Sequence, residues 1–117
     1  MIAHVTVRTA KLKETLEFYQ WLLDLPVSRK INTPSGEIIF LGANETKFEL
    51  IGDSSAEQIN AKGLTIGFLV NNLDDKLAML DDRQIRHSEI IAPAPNIRFA
   101  FFNDLNGCEI QLFEESK

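Results

Sequence analysis

The chain of 117 residues carries an internal repeat, and a repeat constrains a fold more than any single motif does. His4-Val5-Thr6-Val7 lies over Thr65-Ile66-Gly67-Phe68 at an offset of 61 residues. The register runs on without a gap. Leu12 falls on Leu73, Leu16 on Leu77, Phe18 on Met79 and Tyr19 on Leu80. Near the end of each half, Phe48-Glu49-Leu50-Ile51 falls on Ile110-Gln111-Leu112-Phe113 at an offset of 62, so one insertion separates the two stretches. The match rests on apolar pattern more than on identities.

Each half reads as strand, helix and three strands. Residues 2–8 alternate, with Ala3, Val5 and Val7 on one face and His4, Thr6 and Arg8 on the other. Thr9 is placed to cap a helix whose apolar stripe is Leu12, Leu16, Tyr19 and Leu23. Pro26 lies beyond its end. Strands are expected at Val27–Ile31, Glu37–Leu41 and Lys47–Ile51. In the second half residues 64–70 form a strand, and Asn71 or Asn72 caps a helix with Asp74 and Asp75 in its first turn. Leu73, Leu77 and Leu80 make the stripe of that helix. Arg86–Ile91 reads as a strand, Ala92–Asn96 as a loop, and Ile97–Phe102 with Cys108–Phe113 as a hairpin turned by Asn106-Gly107. The expected organisation is one α+β domain over residues 1–117. Its first module covers about 1–52, a linker about 53–62, and the second module about 63–115.

One helix covers one face of a four-stranded sheet. The stripes Ala3, Val5, Val7 and Leu64, Ile66, Phe68 belong under the helices. The opposite faces then carry His4, Thr6, Arg8, Lys47, Glu49 and Ile51 in one module. In the other they carry Thr65, Gly67, Leu69, Glu109, Gln111 and Phe113. Two such faces forming a curved mixed sheet around a cleft are how a small-ligand site is built. The repeat relates His4 to Thr65 and Glu49 to Gln111. An imidazole, a carboxylate and an amide oxygen together suit a borderline divalent ion such as Ni, Zn, Mn or Fe. Such an ion polarises a carbonyl, and a carboxylate beside it moves a proton. His87, in Arg86-His87-Ser88, reads as a surface residue. Cys108 reads as a small buried hydrophobe, and Phe18 and Trp21 fall off the helix stripe, in helix packing or a subunit contact.

Composition narrows the partners. A formal charge of −5 opposes binding to phosphate backbones and to anionic membranes. A single cysteine allows no internal disulfide and no cysteine zinc site. No apolar run approaches a membrane span, and Met1-Ile2-Ala3-His4 does not open a signal peptide, so the expected compartment is the cytoplasm. A small molecule or a protein partner remains, and unpaired sheet edges point to a homodimer.

The stretch Ile2 to Leu12, followed by Leu16-Glu17-Phe18-Tyr19, resembles the opening of vicinal-oxygen-chelate proteins. That superfamily includes glyoxalase I, bleomycin-resistance proteins and extradiol dioxygenases. Phe101 to Leu112, with Asn106-Gly107 before the last strand, resembles its closing hairpin. The resemblance implies paired βαβββ modules and metal ligands from the first and fourth strand of each. Those positions fall on His4, Glu49, Thr65 and Gln111. His4 and Glu49 match glyoxalase-like members, Gln111 is a variant, and Thr65 departs from the usual histidine. The implied function is a glyoxalase-like, lactoylglutathione lyase-type enzyme acting on a small oxygenated substrate. Its metal would be held by His4, Glu49 and Gln111, with Glu49 as the catalytic base. The alternative is a metal-free protein that binds a small molecule or antibiotic.

Overall fold

A computed structural model describes all residues 1–117. The chain divides into two compact units, Met1–Gln58 and Ile59–Lys117. In the first, β1 (His4–Thr9) leads into α1 (Leu12–Leu23), then β2 (Val27–Thr33), β3 (Gly36–Leu41) and β4 (Lys47–Gly52). The sheet order is β1-β4-β3-β2. β1 runs parallel to β4, as a strand joined to its partner through a helix can, and the other pairs are antiparallel hairpins. The second unit repeats this with β5 (Ile66–Leu69), α2 (Leu73–Asp82), β6 (Ile91–Ala94), β7 (Ile97–Asn103) and β8 (Glu109–Glu115), in the order β5-β8-β7-β6. This is the expected pair of βαβββ modules, two four-stranded mixed sheets with one helix each.

Burial follows the period of each element. In the first sheet Val7, Phe48, Leu50, Ile39 and Leu41 are buried, while His4, Thr6 and Arg8 are exposed on the other face. The buried face of α1 is Thr15, Phe18, Tyr19 and Leu22. The sequence stripe was thus centred about one position off. Leu12, Leu16 and Leu23 flank the core half-buried, and Phe18 lies in it, edge-on to Tyr19 at 5.1 Å. Thr9 does not act as the N-cap. Lys11 holds that position without a side-chain bond, and Thr9 Oγ1 accepts the Lys11 N–H instead. In the second unit Leu73, Leu77 and Leu80 are buried against the sheet, as their spacing predicts, together with Phe102, Ile110 and Leu112. Asn72 is the cap, its Oδ1 accepting from Asp75 N at 3.1 Å.

Two stretches differ from the sequence reading. Arg86–Ile91 is not a strand; only His87 makes a bridge, to Phe102. The strand lies later, at Ile91–Ala94, with Pro93 inside it and a register shift between its paired residues Ile91 and Ala94. β6 is an edge strand, and Pro93 is not one of its paired residues, so its missing N–H is tolerated there. Leu64, expected under α2, is 65% exposed and precedes β5.

Candidate functional site

On the open face of the first sheet, Thr6 stands opposite Glu49 across the parallel β1–β4 pair, and Phe40 stands opposite Glu49 across β3–β4. His4, two residues before Thr6, shares that face. These registers converge on one carboxylate. His4 Nε2 lies 3.4 Å from Glu49 Oε1, and the Thr6 hydroxyl donates a hydrogen bond to the same oxygen. The His4 ring meets Phe40 edge-on at 5.6 Å, which fixes its plane. Glu49 is buried at 8% exposure, whereas the His4 side chain is 42% exposed. Both contacts fall on Oε1, and Oε2 has no hydrogen bond or ion pair.

The corresponding face of the second sheet is built differently. Gly67 stands where Thr6 stands in the first, opposite Gln111. A Cβ at position 67 would meet Gln111 Oε1 at 3.0 Å, so the glycine makes room for the amide. Thr65 donates its hydroxyl to the Glu109 carboxylate. Phe101 lies opposite Gln111, and Phe99 opposite Phe113. Of the four expected site residues, His4 and Glu49 are brought together within the first module. In the second module Thr65 is turned to Glu109, and Gln111 lies over Gly67. Alternation puts Thr6 on this face without giving it a role, and no sequence motif marks Phe40 or Gly67 as a partner. Thr6 was within reach of the alternation argument, since it shares the face of His4. The contact from Phe40 depends on the β3–β4 register, which no local pattern encodes.

The donor chemistry can be tested against a divalent ion. Two ligands each about 2.1 Å from a tetrahedral ion stand about 3.4 Å apart. The His4–Glu49 separation is 3.4 Å, so this imidazole and carboxylate fit a borderline ion. Thr65 does not fit, because its hydroxyl is short and already spent on Glu109. No three His, Cys, Asp or Glu side chains form a ligand cluster. His87, expected at the surface, is half-buried; its Nε2 lies 2.8 Å from Asp81 Oδ1 and its Nδ1 2.7 Å from the Ser88 carbonyl oxygen. Both nitrogens are thereby occupied.

Two βαβββ modules, each with a helix on one face and polar groups from its first and fourth strands on the other, define a class of ligand-binding α+β proteins. The chain belongs to the Glyoxalase/Bleomycin resistance protein/Dioxygenase superfamily, whose profile matches residues 1–112. The fold is that of the trypanothione-dependent glyoxalase I of Leishmania major, at TM-score 0.82 and 21% identity over 98% of this chain and 86% of that one. A fosfomycin resistance protein from Listeria monocytogenes superposes at TM-score 0.74 and 15% identity, covering 99% and 93%. An antibiotic-binding protein from a Streptomyces species does so at 0.72 and 16%, covering 99% and 96%. Among curated proteins none matches the chain.

Proposed function

We propose that the chain is a glyoxalase-like, metal-dependent lyase or isomerase acting on a small oxygenated substrate. The observation that carries this reading is the His4–Glu49 pair, an imidazole and a buried carboxylate at the spacing of two ligands of one ion. His4 Nε2 and Glu49 are the main donors, and Gln111 is the third donor to be tested. The ion, Ni, Zn, Mn or Fe, supplies Lewis-acid polarisation of a substrate carbonyl when bound. Glu49 does the proton work. Thr6 orients the carboxylate through Oε1, and Oε2 takes or returns the proton beside the carbonyl. Phe40 keeps the imidazole plane from turning away.

The test is calorimetric titration of Ni and Zn into stripped protein, with thioester formation from methylglyoxal and glutathione followed in parallel. One-to-one binding is expected, weaker than a four-donor site gives. His4→Ala should abolish binding and leave the fold intact, because it removes the only imidazole among the donors. Gln111→Ala should lower the affinity, and Thr65→His should raise it. A wild type that binds neither ion removes the metal reading. The second reading, a metal-free binding protein, is favoured by the engagement of Thr65 with Glu109, which leaves the ligand set one donor short.

A further inference from the structure

An open depression of about 180 Å³ lies wholly within the second module, lined by Arg86, His87, Phe101, Phe102, Asn103 and Glu109. Its walls are fixed by hydrogen bonds between the Ser88 segment and β7. Ser88 N donates to the Phe101 carbonyl at 2.8 Å, Phe101 N donates to Ser88 Oγ at 2.9 Å, and His87 bridges Phe102. Phe101 is also held from the side, edge-on to Phe99 at 5.5 Å, and Phe99 in turn stacks on Phe113 at 6.1 Å and 14°. The depression therefore opens beside a rigid aromatic row.

Its polar groups divide into spent and unspent. His87 is bonded at both ring nitrogens, to Asp81 and Ser88. Glu109 accepts from Thr65. Arg86 and Asn103, both exposed, have no side-chain hydrogen bond or ion pair. What is left is a guanidinium, which prefers a planar two-oxygen anion, an amide donor, and the ring of Phe101. Aromatic rings favour offset or edge-on partners. We infer that this depression binds an aromatic carboxylate, its ring against Phe101 and its two oxygens at Arg86, with Asn103 donating to one of them. Glu109 opposes an anion, and its engagement by Thr65 reduces that cost. The site uses no metal, and its residues all belong to the second module, with Phe101 and Glu109 on the sheet face that also carries Gln111.

The experiment uses full-length protein in excess chelator, so that its failure is separate from any failure of the metal site. Backbone amide shifts are followed on titration with benzoate, acetate, cyclohexanecarboxylate and benzylamine. Benzoate should saturate with shifts confined to residues 86–89, 99–103 and 109–111. Acetate and cyclohexanecarboxylate should bind at least about fivefold more weakly, and benzylamine should not saturate. Arg86→Gln should weaken benzoate at least about fivefold without altering the remaining spectrum, since its side chain makes no hydrogen bond or ion pair in the fold. Phe101→Leu should remove the preference of benzoate over cyclohexanecarboxylate. Equal binding of benzoate and benzylamine, scattered shifts, or an Arg86→Gln variant that binds benzoate like the wild type overturns the inference.

Discussion

Cys108 shows how one position is set by its surroundings. It follows Gly107, whose φ of +84° suits a residue without a Cβ, in the turn between β7 and β8. Asp104 closes that turn by accepting the N–H groups of Asn106 and Cys108 at 2.9 and 3.0 Å. Burial, followed by the nearby Asp104 and Glu109 charges, pushes the Cys108 thiol up to about 11. The folded protein therefore favours the neutral thiol. Its contribution is intact at neutral pH and is lost as pH rises from about 9, where an unfolded thiol ionises, through about 11. Native protein at pH 8 should label with iodoacetamide far more slowly than urea-unfolded protein, and Cys108→Ser should flatten the alkaline fall in stability. Equal labelling rates would show that the thiol is accessible. At this scale the sequence was informative where the repeat spoke. His4 and Glu49 stood out because two strands and an offset related them to Thr65 and Gln111. Thr6 and Phe40 did not, because the convergence on Glu49 Oε1 is a property of register and rotamer.

The helices begin differently, and this predicts different sensitivities. Asn72 satisfies an open N–H of α2 through its side chain, while Lys11 satisfies none in α1. Asn72→Ala should cost about 1 kcal/mol in urea denaturation, and Lys11→Ala should stay within about 0.5 kcal/mol. Equal losses would mean that the Asn72 side chain does not cap α2. Within α1, Leu22→Ala should cost about 2–5 kcal/mol, because Leu22 is fully buried; Leu23→Ala, at a half-buried position, should cost clearly less. Reversal of that order would restore the stripe read from sequence. The stripe was misplaced because Leu12, Leu16 and Leu23 share the apolar arc with Phe18 and Leu22, and composition alone cannot centre an arc that wide. β6 was missed for the converse reason. Pro93 and Pro95 read as loop, and only the edge position of the strand makes Pro93 harmless.

At the scale of the molecule the duplicated βαβββ order was legible because it needs only the apolar period and the turns. The specific chemistry was not, since two of the four related positions carry weak donors. The sheet edges carry the last prediction. β2 is an outer strand with Arg29 and Lys30 exposed, and β6 is an outer strand of four residues with a proline inside; both devices discourage pairing with another chain. β5 has no such guard. It is bonded on one side only, by β8; it ends on Leu69, 71% exposed, and Leu64, two residues before its start, is 65% exposed. An unguarded edge with apolar ends favours self-association, and two-fold pairing is the simplest closed form. Sedimentation velocity at tens of micromolar protein should give a homodimer. Leu69→Lys should shift it toward monomer while leaving the circular dichroism unchanged, because Leu69 lies outside the buried core. A monomeric wild type rejects the dimer, and a Leu69→Lys variant as dimeric as the wild type moves the interface away from β5.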